Sequence, residues 1–327
     1  KLDPSGNFLW AKQLGGASSE NVKALAIDAL GNIYTIGDFW STADFDPGVG
    51  VYNLTPIGSN DIFISKLDPF GNFVWAIKFG GSTFDYGYSL SIDGSGNIYS
   101  TGNFHALTDF DPGNGVFTMA PLGDSDIFIS KLDASGSFIW AKQFGGANAE
   151  YGTSIALDSA GNIYTTGHFS ETADFDPGTA VINLIASGAP DMFVSKLDSF
   201  GNFIWVKQIG GIDYSLGKSI IIDPFGNICI IGEFNGTTDF DPNSGTSYLT
   251  PMCSAWADQD IFLMKLSPSG DLIWAKQFSG EGYDAGTSLT VDANGNIYSI
   301  GNFQGTIDVD PGPGISSISS TGAGDIF

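Results

Sequence analysis

The chain has 327 residues, a formal net charge of −24 and 12 basic residues, all of them lysine. A field of that sign repels nucleic acid and anionic membrane surfaces and attracts cations. No run of apolar residues is long enough for a transmembrane helix. No window carries the helical i, i+3, i+4, i+7 pattern, and 45 glycines punctuate short β-rich runs, so the expected class is all-β.

The chain opens on KLDPSGNFLWAKQLGG at Lys1–Gly16. That stretch returns at Lys66–Gly81, Lys131–Gly146, Lys196–Gly211 and Lys265–Gly280, at spacings of 65, 65, 65 and 69 residues. Self-similarity at a fixed spacing marks a repeat architecture. Lys1 falls in mid-repeat, as expected of a processed or excised piece, so a missing signal peptide says nothing about secretion.

The first full repeat predicts four strands. Lys23–Asp28 is strand A, and Ala29-Leu30-Gly31-Asn32 is a turn whose glycine takes positive φ at little cost. Ile33–Gly37 is strand B. A long connection follows, holding Ala43-Asp44-Phe45-Asp46-Pro47-Gly48 and the apolar Val51–Leu54. Asp61–Asp68 is strand C, Pro69-Phe70-Gly71 turns the chain, and Phe73–Phe79 is strand D. Both tight turns read Asp-x-x-Gly-Asn, which suits a type I turn followed by a left-handed glycine. A four-stranded antiparallel meander of this size, apolar on both faces, is a plausible β-propeller blade.

The reading is therefore one β-propeller domain over residues 1–327, with four-stranded antiparallel blades at about 21–81, 85–146, 150–211, 215–280, and 284–327 plus 1–16. Asp325-Ile326-Phe327 begins a third strand, and Lys1-Leu2-Asp3 ends one. Only the equivalents of Ile64 and Ser65 are missing between them. The simplest inference is a five-bladed ring whose last blade is closed by the N-terminal strand, which protects an open edge. The competing inference is a piece of a longer array.

The GNIY strand, the DIF strand, KLDxxGNFxWAKxxGG and the acidic linker after Gly-Gly together resemble the bacterial β-propeller repeat family called SBBP, across all five units. The DFDPG stretch is similar to a variant common in surface and secreted proteins of Bacteroidetes-type bacteria. The resemblance implies an extracellular or cell-surface setting and transfers no catalytic residues. The family name refers to seven blades, from which a count of five departs.

The most informative motif is a carboxylate pair in each B–C connection: Asp44/Asp46, Asp109/Asp111, Asp174/Asp176, Asp239/Asp241 and Asp308/Asp310. In extended backbone, alternate residues point the same way, so both carboxylates face one site. Ca²⁺ favours several such oxygens. A further acid stands in the D–A linker at Glu20, Asp85, Glu150 and Asp284, with Ser215 in the fourth. Both connections emerge on one rim, so the two could form a cation site per blade. The other reading is turn chemistry, with Asp capping its own loop and Pro and Gly fixing the bend.

Trp10, Trp75, Trp140, Trp205 and Trp274 recur on strand D and read as packing between blades. Trp40 and Trp256 break the repeat and are better candidates for a unique contact. Lys12, Lys142, Lys207 and Lys276 follow their Trp by two residues, with Lys78 one place further on. They read as solvated edge charges or partners of nearby Asp. His105 and His168 occupy different slots, and Cys229 and Cys253 read as two buried or unpaired thiols, with a disulfide between them as the alternative. Carboxylates in five near-copies argue against a glycosidase, which needs two in distinct environments.

The expectation is a non-catalytic structural or adhesive module, with calcium as the candidate ligand of its acidic rim. Its partners would be other extracellular protein domains or cell-surface components, without nucleic acid or membrane insertion. The alternatives are a lectin-like multivalent glycan binder and, more remotely, a glycan-cleaving enzyme.

Overall fold

The computed structural model describes residues 1–252 and 259–327, so Cys253 and Trp256 lie outside the described residues. Two compact units divide the chain, Lys1–Gln143 and Phe144–Phe327. All named elements are strands.

In the first unit, Glu20–Ile27, Ile33–Phe39, Asp61–Leu67 and Phe73–Phe79 form one antiparallel sheet in chain order. These are strands A to D of repeat 1. Repeat 2 follows with Asp85–Ile92, Ile98–Phe104 and Asp126–Leu132. Its strand D, Phe138–Gly146, carries the chain into the second unit. There repeat 3 is Tyr151–Leu157, Ile163–Phe169, Asp191–Leu197 and Phe203–Gly211. Repeat 4 is Ser215–Ile222, Ile228–Phe234, Asp260–Leu266 and Leu272–Gly280. Repeat 5 has Ala285–Val291, Ile297–Phe303 and a short third strand, Asp325–Ile326.

The tight turns behave as their sequence requires. Gly31 sits at φ +81°. Asp28 Oδ1 accepts the amides of Leu30 and Asn32, both at 2.9 Å, and Oδ2 accepts the Asn32 side-chain amide at 2.7 Å. One carboxylate therefore satisfies three donors that a turn would otherwise leave to water. Asp68, Asp93, Asp158, Asp198, Asp223 and Asp292 repeat the arrangement.

Within each unit, successive sheets stack and bury apolar side chains between them. In the first unit Tyr34, Ile36, Ile62 and Ile64 of repeat 1 share a core with Leu90, Ile98 and Phe128 of repeat 2. Strand A of repeat 2 comes so close that a Cβ on Gly87 would lie 2.7 Å from both Ile36 and Ile62. Small residues there let two sheets approach without a void. In the second unit one core joins repeats 3 and 4, and another joins 4 and 5.

The B–C connection is more ordered than a loop. Ala43–Asp44 pairs with Asn53–Leu54 in a small outer hairpin, and Ala43–Asp44 also pairs back to Gly15–Gly16. In repeat 2 the hairpin joins Thr108–Asp109 to Thr118–Met119, with a bridge from Gly80 to Asp109. In the second unit Gly145–Gly146, Gly210–Gly211 and Ser279–Gly280 each pair with the hairpin of the next repeat. Every hairpin thus straps its repeat to the end of the strand D before it. The sequence hides this because each arm is only two or three residues long.

The N-terminal stretch departs from the expected strand D. Leu2 and Phe8 form an isolated bridge, and the amides of Leu9 and Trp10 donate to the Lys1 carbonyl. The register that sets Lys66 against Trp75 and Leu67 against Phe73 offers residues 1–14 only Lys1 and Leu2 as partners inside this unit.

Candidate functional site: the acidic hairpin rim

The hairpin motif is built by alternation. In Asp44-Phe45-Asp46 the central ring points inward, 1% exposed, and packs on Phe39 and Phe63 at centroid distances of 5.6 and 4.9 Å. Phe104/Phe110/Phe128, Phe169/Phe175/Phe193 and Phe234/Phe240/Phe262 are the matching triads. Repeat 5 has Val309 in place of the central ring, packed against a core that includes Ile307. The flanking carboxylates are left outside.

Both carboxylates work on their own loop. Asp44 Oδ1 accepts the amides of Asp46 at 3.0 Å and Tyr52 at 2.8 Å, which holds its carboxyl below the ordinary range. Asp46 Oδ1 accepts the Gly48 amide at 2.8 Å. Asp109 and Asp111 do the same with Asp111, Phe117 and Gly113. Asp174 and Asp176 take Asp176, Ile182 and Gly178. Asp239 and Asp241 take Asp241, Ser247 and Asn243. Asp308 and Asp310 take Asp310, Ser316 and Gly312. In each pair the two carboxylates accept amides from different parts of the loop.

The linker acids adjoin the strap: Thr108, next to Asp109, donates its hydroxyl to Asp85 at 2.9 Å. Glu20 accepts the Gly16 amide at 3.2 Å, Asp85 the Gly81 amide at 2.7 Å and Glu150 the Gly146 amide at 2.9 Å. Asp284 accepts the Gln304 amide at 3.0 Å. Their role is to hold the end of strand D and the start of the next repeat. Among the described residues, no three His, Cys, Asp or Glu side chains come together as metal ligands would.

A set of carboxylates that the sequence reading passes over is also deeply buried. Asp61, Asp126, Asp191 and Asp260 head the C strands and are at most 2% exposed. Burial raises the carboxyls of Asp126 and Asp191 above the ordinary range, against hydrogen bonds from Gln143 and Gln208 that lower them. Asp85 is raised to about 6, first by burial and also by the nearby Asp61 charge. The signal available in the sequence is the Asp that opens every DIF or DMF strand, with Lys78, Gln143, Gln208 or Gln277 facing it from strand D.

The tryptophans on strand D are half-buried packing residues. Trp75, Trp140 and Trp205 meet Tyr34, Tyr99 and Tyr164 edge to face, at 6.0, 6.3 and 6.1 Å. His168 stacks on Tyr151 at 4.7 Å and is held down to about 3 by burial and then by Lys218, which ion-pairs with Glu233 at 2.9 Å. Cys229 is a free, buried thiol, pushed up to about 11 by burial. Shallow polar grooves flank the hairpins. One of about 410 Å³ in the second unit is lined by Lys276, Gln277, Asp308 and Asp310, and one of about 300 Å³ in the first by Asp111, Asn114 and Phe138.

The family model for the SBBP β-propeller repeat matches four segments, residues 9–46, 139–168, 204–241 and 273–302. An uncharacterized WD repeat-containing protein, L264 of Acanthamoeba polyphaga mimivirus, is 26% identical over 84% of this chain and 23% of its own length. The regulatory protein FlaEY of Caulobacter vibrioides is 24% identical over 70% of this chain and 23% of its own length. The chain thus spans about a quarter of these curated relatives. A solved glucose dehydrogenase covers 87% of this chain and 96% of its own at 11% identity, with a TM-score of 0.32 that carries no argument.

Proposed function

We propose that this chain, an array of SBBP β-propeller repeats, is a non-catalytic extracellular structural or adhesive module presenting a stiff acidic rim to proteins or cell-surface components. One observation supports it above the others. In all five repeats the paired carboxylates accept amides of their own hairpin, so acids that could do chemistry are engaged in shaping loops. Five near-equivalent environments suit presentation, since acid–base catalysis needs two carboxylates driven apart. The test coats beads with the protein and measures retention under flow on glass bearing extracellular proteins or mucin. Retention above albumin-coated beads, without turnover of glycoside or ester substrates, is the expected result. Turnover, or retention no better than albumin, would sink the reading.

Calcium is a second reading of the same rim, favoured by the net charge of −24 and by carboxylates repeated in every hairpin. Bound calcium would stabilise the folded state by mass action. Melting in EDTA and then in excess CaCl₂ decides it: a fall in Tm restored by calcium supports the ion, and no change removes it.

Five blades closed into one ring by residues 1–16 is the finer proposal for the fold. Apolar faces support it: Val22, Leu25 and Ile27 in repeat 1 are about 60% exposed, as are Tyr298 and Ile300 in repeat 5. Within each unit the facing surfaces of neighbouring repeats are covered by each other. The register that sets Ile62 against Phe79 would set Ile326 against Leu14. An intramolecular disulfide between Leu14→Cys and Ile326→Cys is expected, and only intermolecular crosslinks would contradict closure.

A further inference from the structure

One place in the first unit breaks the repeat with large aromatic rings. Trp40, just after strand B of repeat 1, is 39% exposed, and so is Phe84 in the linker before repeat 2. Their rings lie 5.8 Å apart at 59°. The row continues from Phe84 to Tyr86, stacked at 6.5 Å and 3°, and His105 stands edge-on to both. The other repeats have His105, Ser170, Asn235 and Gln304 where repeat 1 has Trp40. They have Ser19, Ala149, Tyr214 and Tyr283 at the place of Phe84. The pairing of an indole with a phenyl ring therefore occurs once.

The polar groups around these rings are placed to serve them. Asp38 Oδ2 accepts the Trp40 indole N–H at 3.0 Å and the Asn21 side-chain amide at 2.9 Å. That fixes the plane of the indole. Asp38 is 1% exposed, yet its Oδ1 has no hydrogen-bond partner. The hydroxyls of Ser41 and Thr83, each next in sequence to one of the two rings, are also without partners. An unsatisfied buried group costs free energy. His105 Nδ1–H donates to the Phe84 carbonyl at 3.0 Å, which leaves Nε2 as the ring nitrogen available to a ligand.

The geometry points to a single carbohydrate-binding site, with Trp40 and Phe84 as the stacking platform, Asn21 and His105 as hydrogen-bonding neighbours, and buried Asp38 as the group that orients the indole. A pyranose offers an apolar face to an aromatic ring and hydroxyls at its rim, which matches a partly exposed ring pair bordered by an amide and an imidazole. The net charge of −24 selects against nucleic acid, whose bases would otherwise stack on such rings, and against anionic polysaccharides. The ligand class is therefore a neutral glycan. The proposal does not depend on the reading given to the hairpin carboxylates.

The experiment screens the whole chain on an array of neutral glycans and titrates the strongest hit by tryptophan fluorescence. Trp40→Ala and Phe84→Ala are each expected to weaken that binding roughly tenfold or more, and Trp40→Phe to retain most of it. Tm should hold in Phe84→Ala, while both Trp40 variants lose the indole N–H on buried Asp38 and are compared at a temperature at which each is folded. A proline-rich peptide is the control ligand, since it too docks on exposed aromatic rings. No bound neutral glycan, binding of the peptide alone, or binding unchanged in both alanine variants would overturn the proposal.

Discussion

Lys78 Nζ lies 2.6 Å from Asp61 Oδ2, in the slot where Gln143, Gln208 and Gln277 face Asp126, Asp191 and Asp260. One repeat thus answers a buried carboxylate with a charge, and three answer it with an amide. The Asp61 side chain has no exposed surface, so its partner cannot be replaced cheaply by water.

Lys78→Met is expected to destabilise the protein by about 3–5 kcal/mol, because it strands a buried carboxylate. Lys78→Gln should recover most of that, as the other repeats already show the amide in place. Urea unfolding measures both. A loss below about 1 kcal/mol for the methionine variant would place the pair among ordinary surface contacts.

Asp85 makes stability depend on pH. Its pKa is raised from an ordinary 3.8 to about 6, so the folded state favours the protonated form. The stabilising contribution is full below about pH 4 and is lost as pH rises through about 6, on the order of 2–3 kcal/mol in all. The groups around Asp85 are the Gly81 amide, the Thr108 hydroxyl at 2.9 Å, the Asp61 carboxylate and the His105 amide. Asp85→Asn should flatten this part of the profile between pH 4 and 7. A variant curve parallel to the wild type would assign the dependence to another group.

The central ring of the hairpin carries the packing. Phe45→Ala removes a fully enclosed side chain and is expected to cost about 3–5 kcal/mol, with Phe45→Leu nearer to the low end. The same measurement shows whether the outer hairpin unfolds with the sheet: a single transition is expected, and a separate early one would make the hairpin an independent flap.

Much of the fold was legible because its signals are local and repeated. The Asp-x-x-Gly-Asn turns and the short apolar runs between them set out the strands, and Gly31 and Asp28 do what the turn requires. The strap between hairpin and preceding strand was not legible. It joins Gly15 to Asp44 through pairings two residues long, which no periodicity reveals. For the site, Asp44 and Asp46 were found as a pair, but the amides of Tyr52 and Gly48 that claim them come from the fold of the hairpin. Asp61 was overlooked because an Asp opening a strand reads as a turn residue, and its burial depends on the Gly-Gly backbone: a Cβ on Gly80 would lie 2.0 Å from its carboxyl carbon.

Hydrogen exchange at the hairpin amides tests most directly whether the rim carboxylates are committed to their own loops. The amides of Tyr52, Phe117, Ile182, Ser247 and Ser316 each donate to the first Asp of their pair at 2.8 Å. They are expected to be protected in the wild type with or without EDTA, and Asp44→Ala should expose Tyr52 while leaving the other four unchanged. Exchange of these amides at the rate of an unstructured loop, or protection that appears only when calcium is added, would contradict the account.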